Sequence, residues 1–154
     1  MLIKISNLSF KYDKKSANTI LNKLNLDIKE GTVNVLLGLN GCGKTTLIKL
    51  LAGLEKPIEG TIYYGDDDLQ KLSYRKRSTI FSYVPQQANV TSDVSVKQYL
   101  SYGTTNTLAF YEHPGKEEME RVEEVAKKLK ITHLLEKNLG EISGGELQIV
   151  LIAC

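Results

Sequence analysis

Cysteine is scarce in this chain, and its scarcity excludes two kinds of protein. The 154 residues hold two cysteines, Cys42 and Cys154, whose spacing suits neither a disulfide scaffold nor a metal site. That usage fits a reducing cytosol. Histidine is as sparse. His113 and His133 stand without acidic or cysteine partners at ligand spacing and read as ordinary surface or half-buried residues. Long apolar runs are missing too, since none approaches the about 20 residues of a membrane-spanning helix. The start, Met1-Leu2-Ile3-Lys4-Ile5, alternates like a strand and lacks the charged and apolar blocks of a secretory signal. Neither sign of charge dominates: 20 Lys+Arg face 18 Asp+Glu, a formal +2. With no basic stripe, charge gives no reason to expect nucleic acid. What remains is a chain with 42% hydrophobic residues, enough for one modest core, fitting one domain or part of one.

Against that plain background one stretch stands out. Gly38-Leu39-Asn40-Gly41-Cys42-Gly43-Lys44-Thr45-Thr46 is a complete phosphate-binding loop of the form G-x-x-x-x-G-K-[ST]. Residues 32–37 before it, T-V-N-V-L-L, read as a buried β-strand. Residues 47–52 after it run at helical periodicity and stop at Gly53. Glycines let backbone N–H groups turn inward, and the helix N-terminus adds a positive dipole end. Lys44 can reach β- and γ-phosphates, and the Thr45 hydroxyl can ligate Mg²⁺. Cys42 reads as a small filler within the loop. The motif implies binding of a nucleoside triphosphate.

Elsewhere residues 2–12 look like a partly alternating strand, followed by a polar loop over 13–19. A second alternating run carries Leu24, Leu26 and Ile28 on one face. Further strands are expected at 61–64 and 81–84, the latter stopped by Pro85. Asp66, Asp67 and Asp68 read as solvated turn acids rather than a metal cluster. From Asp93 onward the pattern turns helical. A short helix is expected over 94–102, capped by Asp93 and broken at Gly103, then a loop at His113-Pro114-Gly115. The segment 116–130 is amphipathic, with Met119, Val122, Val125, Ala126 and Leu129 on one face.

The last apolar helix opens on Ile142-Ser143-Gly144-Gly145-Glu146-Leu147-Gln148. Ser143 with Glu146 three residues on is a capping-box pattern. Two glycines in a first turn cost up to about 1 kcal/mol each, which suggests that something approaches that backbone closely. A helix N-terminus with bare amides and a serine hydroxyl is a second candidate anion site. The final L-Q-I-V-L-I-A-C stops inside an apolar, helix-like element, so the chain is expected to be a piece of a longer domain.

These motifs in this order resemble the N-terminal part of an ATP-binding cassette (ABC) transporter ATPase. Residues 38–46 match the family's Walker A. Residues 142–148 match its LSGGQ-type signature, with Ile for Leu and Glu for Gln. Tyr83-Val84-Pro85-Gln86 matches the Q-loop, and Tyr12 in Phe10-Lys11-Tyr12 matches the A-loop aromatic. The wording around them looks most like the iron-siderophore, haem and cobalamin importer group.

The resemblance implies an α/β fold: a P-loop NTPase core of ABC type with an antiparallel β-subdomain and an inserted helical subdomain, C-terminally truncated. Residues 1–88 would form the ATP-binding core and β-subdomain, and 89–154 the helical subdomain ending in the signature helix. ATP and Mg²⁺ are the implied cofactors. Tyr12 would stack on adenine, while Gly38, Asn40, Gly41, Cys42, Gly43, Lys44, Thr45 and Thr46 hold phosphates. Ser143, Gly144, Gly145 and Glu146 would hold the phosphates of a partner's ATP. Thr45 and Gln86 would reach the metal, and Lys44, Gln86 and Ser143 would serve catalysis. The implied partners are a second copy, paired head to tail, and transmembrane permease subunits. No nucleic acid is implied, and the place is the cytoplasmic face of the cell membrane, peripheral through the permease. The family's Walker B Asp–Glu pair and switch histidine have no match here, so the fragment is expected not to hydrolyse ATP. A soluble ABC ATPase of translation or DNA repair and a non-catalytic nucleotide-binding module are the competing expectations.

Overall fold

Asn7 breaks the alternation expected of the first strand. In the computed structural model, which describes residues 3–13, 17–86, 90–104 and 115–154, strand β1 (Ile3–Phe10) buries Leu8, Ser9 and Phe10 in succession. A regular strand cannot do this, because neighbouring side chains point to opposite faces. Asn7 has φ of 50°, and the pairing slips around it on both edges. Such a bulge re-aims the residues that follow. It is pinned by Asn25, whose Oδ1 accepts from the Asn7 N–H at 2.9 Å. Ser9 is buried without penalty because its Oγ accepts from the Lys23 N–H at 3.0 Å. Gly60 has φ of 84°, and a Cβ there would run into the Asn7 carbonyl, so the bulge needs glycine opposite it.

Strands β2 (Leu21–Ile28), β3 (Glu59–Tyr64) and β4 (Asp67–Asp68) complete an antiparallel sheet in the order β2-β1-β3-β4. Helix α1 (Lys44–Leu51) covers it. Leu47 and Leu50 of α1 pack with Ile5, Leu8 and Phe10 of β1 and with Ile62 and Tyr64 of β3. Each such side chain contributes about 1.5–3 kcal/mol when fully buried. The Tyr64 hydroxyl donates to the Leu51 carbonyl at 2.5 Å, tying the last turn of α1 to the sheet, and burial pushes its pKa up to about 12. Helix α2 (Tyr74–Ser78) follows, capped by the Ser73 side chain. Arg77 donates to the carbonyls of Leu72 and Gly53, both at 3.1 Å.

Two expected strands are not formed. Residues 32–37 and 81–84 make no ladder, and Val33 and Leu37 are 95% and 84% exposed. An apolar strand of this kind is stable only when paired on its edges and covered on its faces. Among the described residues no strand pairs with either segment. Asp67 and Asp68, expected in a turn, instead pair with Tyr64 and Tyr63.

The chain divides into two compact units, Met1–Tyr83 and Val84–Cys154. The second holds helices α3 (Val96–Gly103), α4 (Lys116–Lys128) and α5 (Gly144–Ala153), with single turns at Thr132–Leu134 and Leu139–Glu141. Val96 and Leu100 of α3, Val122 and Ala126 of α4, and Val150 of α5 share its core with Leu134 and Leu139. Ser95, not Asp93, caps α3, because its hydroxyl accepts from the Gln98 N–H at 3.2 Å. Asp93 instead accepts from the Ser92 hydroxyl. Gly103 lies inside the helix, whose C-cap is Thr104. On α4, Val122 and Ala126 are buried, but Leu129 at the C-cap is 37% exposed. His133 is exposed, while His113 and Pro114 of the expected loop lie outside the described residues. No helix among the described residues is long and apolar enough to cross a membrane.

Candidate functional site

The phosphate loop ends where α1 begins, and the junction is built from glycine. Gly43 is the N-cap of α1 at φ of 93°, with Gly41 at 81°, a backbone region costly to side-chain-bearing residues. A Cβ on Gly43 would lie 3.1 Å from Ile20 and 3.2 Å from Leu21. The loop is thus seated on the start of β2. Nothing in the motif names these two supports, and their nearness to the loop arises only through the fold. At the other end, a Cβ on Gly38 would lie 2.8 Å from the Cys42 sulfur. Gly38, Asn40, Gly41 and Cys42 are all exposed.

Helix α1 has no side-chain cap and no acidic residue in its first turn. By contrast α2, α3 and α5 are capped by Ser73, Ser95 and Ser143. The first amides of a helix need an acceptor from somewhere, and with the dipole they make a ready anion site. Lys44 supplies the matching cation: its Nζ donates to the carbonyls of Gly38 at 2.8 Å and Leu39 at 2.7 Å. Its ammonium is therefore folded back onto the carbonyls of the loop itself. Thr45 is exposed and Thr46 buried. Tyr12, just beyond β1, is brought to the same place. Its ring meets Phe10 edge-on at 4.9 Å, and its hydroxyl lies 3.3 Å from the Thr46 Oγ1.

In the second unit, Ser143 and Glu146 form a reciprocal cap at the start of α5. The Ser143 Oγ accepts from the Glu146 N–H at 3.3 Å, and the Glu146 carboxylate accepts from the Ser143 N–H at 2.7 Å. The Ser143 side chain and backbone hold the Glu146 carboxyl below its usual range. Gly144 and Gly145 are exposed, and a Cβ on either would meet nothing within 4 Å. Of the apolar run that follows, Val150 is buried while Ile149 and Ile152 are 38% and 59% exposed. Gln86 is exposed, in a stretch without regular structure. Among the described residues no group of three or more His, Cys, Asp or Glu could hold a metal, so Asp66, Asp67 and Asp68 do not form such a site.

The family model described as "ABC transporter" matches residues 21–154, from β2 through α5. The chain belongs to the ABC transporter family. Among curated relatives, the "Probable iron chelatin transport ATP-binding protein" of Helicobacter pylori (strain ATCC 700392 / 26695) is 32% identical over 154 residues, 99% of this chain and 59% of that protein. The chain therefore spans about three fifths of that relative's length. Among solved structures, a putative metal-chelate type ABC transporter in an inward-facing conformation is similar at TM-score 0.78 and 28% identity. That likeness covers 98% of this chain and 53% of the other. A dimeric bacterial ABC transporter cassette is similar at TM-score 0.83 and 25% identity, covering 98% of this chain and 67% of the other. An ABC cassette accounts for both the P-loop fold and the antiparallel sheet and helices seen here.

Proposed function

We propose that this ABC family chain is the nucleotide-binding part of a subunit that binds and hydrolyses ATP to power an importer of metal chelates, such as iron-siderophore. The observation that carries the ATP-binding reading is the uncapped N-terminus of α1, whose first residue, Lys44, holds its ammonium on the loop carbonyls of Gly38 and Leu39. Residues 1–88 form the ATP core and β-subdomain in this reading, and 89–154 the helical subdomain. Gly38, Asn40, Gly41, Cys42 and Gly43 wrap the β- and γ-phosphates in backbone amides, Lys44 balances their charge, and Thr46 caps the inner side. Tyr12 offers a ring to adenine; base–aromatic stacking contributes about 1–3 kcal/mol.

In this reading Mg²⁺ would be held chiefly by phosphate oxygens and water, with the Thr45 hydroxyl as a ligand from the phosphate loop, and Gln86 is assigned to the metal by its Q-loop match alone. When bound, Mg²⁺ neutralises charge that builds on the transferred phosphoryl group. Ser143, Gly144, Gly145 and Glu146 face the phosphates of a second copy in a head-to-tail pair, a reading supported by the dimeric cassette among the similar structures. Within the subunit, Lys44, Gln86 and Ser143 are the residues of this chain that serve hydrolysis. The general base matches none of its residues, so in this reading the 154-residue chain by itself binds ATP weakly or not at all and does not turn it over. The metal-chelate substrate is supported by the names of the H. pylori relative and the metal-chelate transporter. Permease subunits hold the protein at the cytoplasmic face of the membrane.

Lys44→Ala tests the reading. Hydrogen bonds to charged groups contribute about 1.5–3 kcal/mol, so ATP affinity by calorimetry should fall about 10- to 150-fold. An unchanged dissociation constant overturns the assignment.

A further inference from the structure

The Tyr12 ring is held at two points before any base arrives. Phe10, 3% exposed, meets it edge-on with ring centroids 4.9 Å apart and planes at 87°. Its hydroxyl lies 3.3 Å from the Thr46 Oγ1, long for a hydroxyl pair but within reach. Thr46 is itself enclosed. It is 6% exposed, in the first turn of α1, between neighbours that line the phosphate loop and the core. Yet Tyr12 itself is 58% exposed, so part of its ring stays open to solvent. A side chain held by one aromatic neighbour and at its tip, with part of its surface left over, is a preorganised platform. We infer that Thr46 is a positioning residue for nucleobase recognition: its hydroxyl locks the Tyr12 ring in the orientation that receives the base. The inference rests on the stacking role proposed above for Tyr12, and adds a direct link from the phosphate-binding helix to the base platform.

A ring needed only for its π-face would be replaced freely by phenylalanine. A ring held at its hydroxyl would not. Ordering it anew on binding costs conformational freedom that the contact with Thr46 has already removed.

Calorimetry on the protein as its gene encodes it decides the matter, with ATP and base-free tripolyphosphate as the two probes. The readout is the ratio of their affinities, which a merely structural change would leave alone. Tyr12→Phe should lower the ATP-to-tripolyphosphate ratio about two- to tenfold, the range of one neutral hydrogen bond. Thr46→Val should lower it by a similar factor, and Thr46→Ser, which keeps the hydroxyl, should restore it. The double variant Tyr12→Phe with Thr46→Val should be no worse in this ratio than either single one, because both remove the same contact.

Tyr12→Leu separates the two readings. If it lowers the ratio while Tyr12→Phe does not, stacking stands and the positioning role of Thr46 is overturned. If Tyr12→Leu leaves the ratio unchanged, stacking falls and the inference with it. Tighter ATP binding by Tyr12→Phe would make the contact an obstruction, and would also overturn the proposal. So would a Thr46→Ser variant that behaves like Thr46→Val.

Discussion

Helices α1 and α5 both have glycine where they begin, and they treat their first amides in opposite ways. At α1, Gly43 stands in the left-handed region and no side chain caps the turn. At α5, Ser143 and Glu146 cap each other across Gly144 and Gly145, giving the N–H groups of Ser143 and Glu146 their acceptors. One terminus has no side-chain acceptor, and the other already holds a carboxylate of its own. The same residue type therefore does different work at the two places. Gly43 is required by the backbone and by Ile20 and Leu21 beneath it. Gly144 is free of both demands, since a Cβ there would touch nothing. Its place there is therefore not set by the packing of this unit.

Alanine at each site is the sharpest way to break this comparison. Gly43→Ala should destabilise by about 1–2 kcal/mol, the cost of left-handed backbone for a residue with a Cβ, together with crowding against Ile20. Gly144→Ala should do the reverse and stabilise by up to about 1 kcal/mol, because alanine favours the helix and meets no obstacle. Urea denaturation of the two variants gives the sign. Equal effects would mean that the glycines are equivalent and the contrast is false.

A smaller effect tests the cap. Ser143→Ala should cost about 1 kcal/mol of stability, because it strands the Glu146 N–H. No serine, threonine, asparagine or aspartate cap exists at α1 to remove. A melt of Ser143→Ala that matches the parent would show that the reciprocal bonds at α5 are not formed in solution.

Much of this contrast was legible in the sequence. Residues 38–46 identified the loop, and Ser143 with Glu146 identified the cap, because both signals are local spacings with a local cause. The signature, Q-loop and A-loop resemblances added the family. What the sequence hid is of two kinds. Asn7 and Gly60 form a bulge that no alternation pattern can announce, since it depends on a neighbouring strand. Ile20 and Leu21 support Gly43 across more than twenty residues, and Thr46 meets Tyr12 across thirty-four. The expected strands at 32–37 and 81–84 failed for a related reason. An apolar run carries the propensity of a strand, but a strand exists only through its pairing partners.

The pH dependence should separate the two helices in opposite directions. Tyr64, which holds the last turn of α1 through the Leu51 carbonyl, has its pKa pushed up to about 12 by burial. The raised value means that the folded state holds this proton longer than the unfolded one. Its contribution is complete below the ordinary value of about 10 and is lost as pH rises toward 12. In Tyr64→Phe that alkaline loss should be weaker. Glu146 is the opposite case and the smaller one. Its pKa is lowered by the bonds with Ser143, so its contribution is present above the usual glutamate range and is lost as pH falls through the lowered value. The carboxylate is open to solvent, which screens the effect, so the shift in denaturation midpoint should be slight. Glu146→Gln keeps the shape of the side chain and removes the titration. Its urea midpoint between pH 3 and pH 6 should therefore vary less than that of the parent. A variant as acid-sensitive as the parent would mean that α5 draws nothing from the charge of Glu146, and its cap would be no more anionic than that of α3.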